Sequence, residues 1–224
     1  MKIILQKYIF LIFAYIIVGL NAQTINRYGT TTANFLEIGV GSRATAMGDA
    51  YVAVANDVSS IYWNSAGLSN ISNASTLFMV QPWLVDINMV FAAGAFPIKN
   101  IGVLGLGITH LDYGEMDVTN LEYQDGTGER FGASDVAATF TFSRKIVSWF
   151  SFGTSAKYIS SNIWHSSASA FAIDLGVLVN TKFFSFTGKD KDGMNIGMSI
   201  SNYGTRMKYD GIDSYQPIDI SEYE

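Results

Sequence analysis

The residues after Ala74 alternate, with a period of two, between apolar side chains and small or polar ones. Residues 134–144 show the pattern clearly: one side carries Val136, Ala138, Phe140 and Phe142, and the other carries aspartate, alanine, threonine and serine. A β-strand points successive side chains to opposite faces, so this alternation predicts strands with one apolar face. The sequence therefore predicts a chain built mainly from β-strands.

Segments of this kind follow one another along the chain. They cover residues 76–82 (a weaker one), 85–95, 101–111, 134–144, 150–158, 168–182 and 194–202. Their usual length of about ten residues is what a tilted strand needs to cross a bilayer. We expect tight turns at residues 97–100 and 145–148, longer connections at residues 112–132 and 160–167, and one of intermediate length at residues 183–193. Alternating short and long connections are typical of transmembrane β-barrels.

The second face of these strands decides between a soluble sheet and a membrane-spanning one. It consists mostly of glycine, alanine, serine, threonine and asparagine, and 15% of the whole chain is charged, against roughly 25% in soluble domains. A soluble sandwich would bury its apolar face and carry charges outside. The sequence therefore predicts an all-β, transmembrane antiparallel β-barrel, here with about seven to eight strands. A soluble secreted β-sheet protein is the alternative.

The first 22 residues have the features of a secretory signal peptide. Lys2 and Lys7 precede an apolar run at residues 9–18, and Ala22 offers a small residue for cleavage. The run is shorter than the roughly 20 residues that a membrane-spanning helix needs, which disfavours an uncleaved anchor. The chain has no cysteine, so a lipoprotein anchor and a disulfide framework are excluded. We expect export to the outer membrane of a Gram-negative bacterium.

Residues 23–72 differ from the strands that follow. Their first part is polar and rich in threonine and asparagine, which predicts an extended lead-in, and small apolar residues come next. Asp57 or Ser59 is placed to cap a short helix over residues 61–68. We therefore divide the chain into residues 1–22, a signal peptide, residues 23–72, an N-terminal lead-in, and residues 73–224, the strand region.

No pattern of catalytic, metal-binding or cofactor-binding residues stands out. His110 and His165 lie in no metal-ligand spacing, and no Gly-x-Ser-x-Gly element is present for a hydrolase nucleophile. The aspartates at residues 190–192 lack the later glutamate of a calcium loop. A net charge of −5 disfavours nucleic acid as a partner. We predict no catalytic, cofactor-binding or metal residues, no cofactor and no enzymatic activity.

Three charged residues share the side of the strands that carries the small residues. Asp135, Lys157 and Asp174 all alternate out of phase with the large apolar residues. In a barrel this side faces the lumen, so we single these residues out as candidate lumen-facing charges. They either pair with one another or with Arg43 or Asp49, or simply form a solvated lining.

Four blocks of sequence carry a resemblance to a known family. They are FLEIGVGSRATAMGDAYVAVANDVSSIYWNSAGLSN (residues 35–70), LDYGEMDVTNLEYQDGTGERFGASD (residues 111–135), KYISSNIWHSSASAFAIDLGVL (residues 157–178) and SISNYGTRMKYDG (residues 199–211). Together they resemble the PorV/PorQ family of outer-membrane proteins, relatives of the long-chain fatty-acid porins that are associated with the type IX secretion system. The blocks span nearly all of the chain after the signal peptide.

The resemblance implies a barrel of roughly fourteen strands, with the N-terminal segment of residues 23–72 folded into the lumen as a plug. The family's Asn-Pro-Ala-Gly-Leu element corresponds here to Asn64, Ser65, Ala66, Gly67 and Leu68. Serine replaces proline at position 65, which removes a fixed φ from the start of a helix, and we expect local loosening there. Members of the family are longer than this chain, so we expect a C-terminally truncated, partial barrel.

The resemblance also implies a function. The chain is expected to be an outer-membrane protein associated with type IX secretion, handling or presenting exported proteins. Its expected partners are outer-membrane lipid, type IX secretion components and exported cargo proteins. Two other functions stay open at this point: passive transport of hydrophobic small molecules, as in the fatty-acid porins, and the role of a soluble secreted β-sheet protein.

Overall fold

The computed structural model describes residues 32–188 and 193–212. Over these residues the protein is mainly one antiparallel sheet of eight strands, with a few short helices before it. Consecutive strands pair in the order β1 to β7, and β8 pairs with β6 beyond the end of β7. The predicted all-β antiparallel fold is confirmed. The described sheet does not close on itself, because β1 and β7, at its two ends, do not pair with each other.

The strands lengthen toward the middle of the sheet. Their bounds are β1 Ser75–Pro82, β2 Asn88–Ile98, β3 Gly102–Asp117, β4 Arg130–Val147, β5 Phe150–Ile163, β6 Ser166–Asn180, β7 Asn195–Gly204 and β8 Asp210–Gly211. Every predicted segment of alternating sequence corresponds to one of the first seven strands. The four central strands, β3 to β6, extend beyond their predicted segments at one or both ends.

The prediction of a long loop at residues 160–167 is wrong. β5 continues to Ile163 and β6 begins at Ser166, so only Trp164 and His165 join them. Trp164 adopts a φ of 49°, which lets the chain reverse in two residues. The serines and asparagine of this stretch resemble a loop in composition, yet their backbone groups pair between the two strands.

The helices before the sheet are short, with four or six residues each. They are a 3-10 helix at Asn34–Glu37, α1 at Ser42–Thr45, α2 at Ser60–Trp63 and a second 3-10 helix at Ser65–Asn70. The predicted continuous helix over residues 61–68 is wrong, because Asn64 is extended, with φ −160° and ψ 104°, and separates α2 from the second 3-10 helix. Of the described residues, none belongs to a helix long and apolar enough to span a membrane.

The sheet has two unlike faces. We call the face covered by residues 33–72 the inner face and the opposite one the outer face, and we call residues 33–72 the N-terminal segment. The core lies between the N-terminal segment and the inner face. Its buried residues include Phe35, Val58, Ile61 and Leu68 from the segment and Met89, Phe91, Val103, Leu111 and Ile159 from the strands.

Candidate functional site

A row of small residues crosses the inner face where the N-terminal segment lies. Ser143 on β4 pairs with Gly153 on β5, Gly153 pairs with Gly176 on β6, and Gly176 pairs with Ser199 on β7. The alternation of each strand points all four residues to the same face. The row therefore forms a shallow channel across four strands, in which another piece of backbone fits.

The backbone that fits there belongs to the Asn64–Leu68 motif that the sequence singled out. A Cβ atom on Gly153 would collide with the backbone of Ser65 and Ala66. A Cβ atom on Gly176 would collide with the side chains of Asn64 and Ser65. Glycine is needed at both positions because it lets the motif approach the strands this closely.

Asn64 joins the N-terminal segment to itself and to the sheet. Its side-chain Nδ2 donates to the carbonyl oxygen of Val52, at 2.9 Å, and to that of Val177 on β6, at 3.1 Å. Its Oδ1 accepts from the backbone N–H of Ala66, at 3.1 Å, and so caps the 3-10 helix. The side chain is almost completely buried, and three hydrogen bonds satisfy most of its capacity.

The rest of the motif is buried as well. Ser143 Oγ donates to the carbonyl oxygen of Ala66, at 3.1 Å, and ties the motif to β4. Leu68 packs in the main apolar cluster, and Gly67 lies so close to the carbonyl oxygen of Ala55 that a Cβ atom would collide with it. The motif thus anchors the N-terminal segment by shape, by apolar contact and by hydrogen bonds.

Ser65 is the position at which the sequence predicts local loosening. The 3-10 helix still begins there, but the buried Ser65 hydroxyl has no hydrogen-bond partner among the described residues. A buried hydroxyl without a partner costs about 1–3 kcal/mol. The docking contact therefore has an unsatisfied polar atom at its centre.

Two of the three candidate charges form a buried ion pair. Lys157 Nζ on β5 lies 2.8 Å from Asp174 Oδ2 on β6, and the two side chains are 5% and 6% exposed. Lys157 Nζ also donates to Asn202 Oδ1 on β7, at 2.7 Å. The backbone N–H of Asn202 donates to Asp174 Oδ1, at 2.7 Å, so both carboxylate oxygens are occupied.

Asn202 reaches this pair because β7 is irregular at that point. The register between β6 and β7 shifts between Ile173 and Leu175, opposite Asn202, which has a φ of 58°. Asparagine adopts this left-handed conformation more readily than most residues, and such irregularities redirect a side chain. Regular alternation alone does not show such a shift, so Asn202 was missed by the sequence prediction.

Asp135, the third candidate charge, lies apart from this pair. Its carboxylate accepts a hydrogen bond from the hydroxyl of Tyr113 on β3, at 2.6 Å, and one from the hydroxyl of Ser161 on β5. It is buried on the inner face without a cation beside it among the described residues. The three predicted charges thus form two separate polar clusters, which share the inner face.

Arg43 pairs within the N-terminal segment instead of with the strands. Its Nη1 lies 2.8 Å from Asn56 Oδ1 and 3.6 Å from Asp57 Oδ2. Asp57 also accepts a hydrogen bond from the hydroxyl of Tyr51, at 2.8 Å, and from the backbone N–H of Ser59, at 2.9 Å. This cluster holds together the first half of the segment.

Burial and hydrogen bonding change the acidity of two groups in this cluster. Burial, followed by the hydrogen bond to Asp57 and its negative charge, raises the pKa of Tyr51 to about 12. Burial alone would raise the pKa of Asp57, but hydrogen bonds from Ser59 and Tyr51 and the charge of Arg43 outweigh it. The pKa of Asp57 therefore lies below its ordinary value, and the carboxylate stays ionised.

A comparison with protein-family models identifies the family to which this architecture belongs. Residues 21–221 match the model described as type IX secretion system protein PorV. The chain belongs to the PorV family. The predicted family membership and association with type IX secretion are confirmed. Searches among curated proteins and among solved structures each found no match.

The outer face of this PorV-family chain is the reverse of the inner one. Its large apolar side chains are exposed on every strand from β1 to β7. They include Phe78, Val80, Phe96, Leu106, Ile108, Phe140, Tyr158, Phe171, Ile173, Leu175, Met198 and Ile200. No described residue packs over them as the N-terminal segment packs over the inner face. The outer face is thus a continuous apolar surface, far larger than single exposed apolar residues would make.

Two grooves interrupt the surfaces of the PorV-family chain. One, of about 770 Å³, is a dent in the outer face, lined by Ala92, Gly94, Ala138, Phe140 and Tyr158, among others. The other, of about 730 Å³, lies between the N-terminal segment and β1. It is lined by Arg43, Asp57, Ser59, Leu77, Met79 and Gln81, among others. Over the described ranges, no group of three histidine, aspartate or glutamate side chains is placed to hold a metal ion.

Proposed function

We propose that this protein spans the outer membrane as part of a β-barrel and handles or presents exported proteins during type IX secretion. The observation that carries the proposal is the inverted sheet, with large apolar residues exposed on the outer face of every strand from β1 to β7 and with small and charged residues buried on the inner face of β4 to β6. Membership of the PorV family supplies the link to type IX secretion. Its proposed partners are outer-membrane lipid, type IX secretion components and exported cargo.

Burial of the outer face in lipid accounts for its composition. Each exposed apolar side chain would cost free energy in water, at about 25 cal/mol per Å² of apolar surface. Hydrocarbon removes this cost, and the outer face carries almost no charged group that hydrocarbon would penalise. Exposed aromatic residues stand near both ends of the strands, with Trp83 and Trp164 at one end and Trp149 at the other. Such rings prefer the two membrane interfaces.

The domain plan follows from the same proposal. Residues 1–22, which lie outside the described residues, would act as a signal peptide and be removed on export. Residues 23–72 would be the lead-in and plug, because residues 33–72 of this stretch cover the inner face. Residues 73–224 would form the partial barrel. In lipid, the free edge of β1 needs a pairing strand, because unpaired backbone groups are costly there.

The inner face of such a barrel would be a structural support for the plug rather than a reaction site. Asn64 and Ser143 hold the segment, and Lys157, Asp174 and Asp135 are each engaged by neighbouring side chains. We infer that none of them is catalytic and that the protein acts by binding. The grooves and loops that the plug leaves free would meet partners.

The membrane placement is tested by cysteine labelling, because the natural chain has no cysteine and so gives no background. Ile108→Cys and Phe140→Cys on the outer face should react with a lipid-soluble maleimide and resist a membrane-impermeant one. Leu121→Cys, in the exposed connection between β3 and β4, is the control and should react with both. Rapid reaction of the outer-face cysteines with the impermeant reagent would overturn the proposal.

The secretion role is tested by deleting the gene and measuring cargo at the cell surface. Proteins that carry type IX export signals should accumulate in the periplasm, and the natural gene should restore their export. An Asn64→Asp variant cannot donate to Val52 and Val177, so it should restore export poorly. Asn120→Asp is the matched control, because the Asn120 side chain acts only as an acceptor in an exposed loop. Unchanged export in the deletion strain would contradict the proposal.

A further inference from the structure

The two ends of the sheet differ in the length of their connections. One, the short-turn end, contains residues 99–101, 144–149, 181–188 and 193–194. The other, the long-loop end, contains residues 83–87, 112–130, 164–165 and 205–212. Because consecutive strands run antiparallel, successive connections lie at opposite ends of the sheet. Everything at one end therefore meets the same environment.

The charges are divided between these ends by sign. The described residues of the short-turn end carry Lys99, Arg144, Lys145 and Lys182 and no aspartate or glutamate. Those of the long-loop end carry the acidic residues Asp86, Asp112, Glu115, Asp117, Glu122, Asp125, Glu129 and Asp210, against Arg130, Arg206 and Lys208. Residues 189–192, outside the described residues, add two lysines and two aspartates to the short-turn connections, which leaves the sign unchanged.

The cations of the short-turn end are available to a partner. Among the described residues, Lys99, Arg144 and Lys182 are exposed and take part in no ion pair or side-chain hydrogen bond, while Lys145 Nζ donates to Asn70 Oδ1 at 3.4 Å. At the long-loop end, by contrast, Arg130 is held by Glu115 and Asp117. Three exposed cations thus have no carboxylate beside them among residues 32–188 and 193–212.

Exposed aromatic side chains stand beside these cations. Phe183, Phe184 and Phe186 are 64%, 77% and 103% exposed, and Trp149 is 53% exposed. The backbone N–H of Asn180 donates to the carbonyl oxygen of Trp149, at 2.8 Å, which places the Trp149 turn next to the residues that lead to Lys182. Aromatic rings that insert among acyl chains, together with cations at the level of the headgroups, are typical of protein segments at a membrane interface.

We propose that the short-turn end binds anionic phospholipid headgroups, with Lys99, Arg144 and Lys182 at the phosphates and Trp149 and the phenylalanines at the top of the acyl chains. The inference rests on the proposed placement in a membrane. The cations of the short-turn end attract the negatively charged headgroups, whereas the acidic residues of the long-loop end repel them. The sheet therefore has a preferred direction across a bilayer whose leaflets differ in charge.

The experiment compares two tryptophans at opposite ends of one protein. The full chain is reconstituted into vesicles of phosphatidylglycerol and phosphatidylcholine in which the acyl chains of one lipid or the other are brominated. W83F/W164F leaves Trp149 to report the short-turn end, and W149F/W164F leaves Trp83 to report the long-loop end. Trp63 stays in both variants, because its Nε1 donates to Val40 within the N-terminal segment, away from lipid.

We expect brominated phosphatidylglycerol to quench Trp149 at least about twofold more than brominated phosphatidylcholine at equal mole fraction. Trp83 should show no such preference. K99Q/R144Q/K182Q in the Trp149 reporter should abolish the preference, and E122Q/D125N should leave it unchanged. Salt near 1 M, where the screening length is about 3 Å, should abolish it without any substitution.

The outcomes separate the two proposals. If neither lipid quenches either tryptophan, the membrane placement itself is wrong. If both lipids quench Trp149 equally, or if the preference survives both the triple substitution and high salt, anionic-lipid binding at this end is overturned and the membrane placement stands.

Discussion

The inner and outer faces are made by the same strands, yet they follow opposite rules. On β5, Ser155 and Lys157 are buried while their neighbours Ala156 and Tyr158 are exposed. In a soluble sheet the larger apolar residues go inside because water drives them there. On β5 the polar side is buried and the apolar side is exposed, which is the arrangement expected if the outer face lies in lipid as proposed.

The difference between the two faces affects how each face is stabilised. Polar groups on the inner face are removed from water, so their stability depends on partners. Thr141 and Ser155 share a hydrogen bond of 2.9 Å, and Lys157 and Asp174 share an ion pair. Residues of the outer face need no specific partner, so substitutions of equal size should cost far more on the inner face.

The largest effect is expected from breaking the inner ion pair. Lys157→Met leaves the carboxylate of Asp174 buried without its cation, and we expect a loss of about 3–5 kcal/mol in the free energy of unfolding. Urea titration of the protein in detergent measures it. The double variant K157M/D174L removes both charges and should recover most of that loss, while Lys99→Met, on an exposed turn, should change little. An equal loss in the single and double variants would contradict a buried pair.

The next largest effect tests the close contact at the glycine row. Gly153→Ala places a methyl group against the backbone of Ser65 and Ala66, so the segment must shift, at a cost of about 1–3 kcal/mol. Gly132→Ala, toward the outer side of β4, meets only an ordinary contact of 3.7 Å with Gly114 and is the matched control. Trypsin cleavage at Arg43 should become faster in the first variant alone.

A smaller effect of opposite sign is expected at Ser65. Ser65→Pro removes the unsatisfied hydroxyl and pre-sets φ at the first residue of the 3-10 helix, where the described structure shows no hydrogen bond from the Ser65 N–H. We expect a gain of about 0.4–1 kcal/mol in urea titration. Serine to proline at Ser185, whose backbone N–H donates to Lys182, should lose stability instead.

The strands and the phase of their faces could be predicted because both depend on a local pattern. Alternation with period two placed Asp135, Lys157 and Asp174 on the side of the small residues, and that side is the buried one. The exception is β2, where Met89 and Phe91 face inward and Val90 and Phe96 outward. Both faces of β2 are apolar because its inner side packs in the main cluster, so composition alone does not tell them apart.

The features that were missed depend on contacts between distant parts of the chain. Asn64 interrupts the predicted helix because its side chain bonds Val177, 113 residues away. Asn202 reaches Lys157 only because the register of β7 shifts, and the turn at Trp164 forms because two polar segments pair with each other. A sequence pattern reports which face a residue occupies, but it does not report which residues meet there.

The smallest effect is expected from pH, and it should be confined to the cover of the inner face. The pKa of Asp57 is lowered from its ordinary value of 3.8, so the carboxylate contributes stability above that pH. This contribution is lost as the pH falls through the lowered pKa of the folded protein. The fluorescence of Trp63, whose ring lies 6.3 Å from that of Tyr51, should therefore change below about pH 4 in a W83F/W149F/W164F background.

Asp57→Asn should remove that acid transition, because the amide does not titrate. At alkaline pH the dependence of stability on pH has the opposite sign. The pKa of Tyr51 is raised from 10.0 to about 12, so its contribution is complete below pH 10 and is lost as the pH rises through about 12. Tyr51→Phe should shift only the alkaline transition. If the acid transition persisted in Asp57→Asn, a titrating group outside this cluster would control it, and the contrast between a pH-sensitive cover and the sheet beneath it would fail.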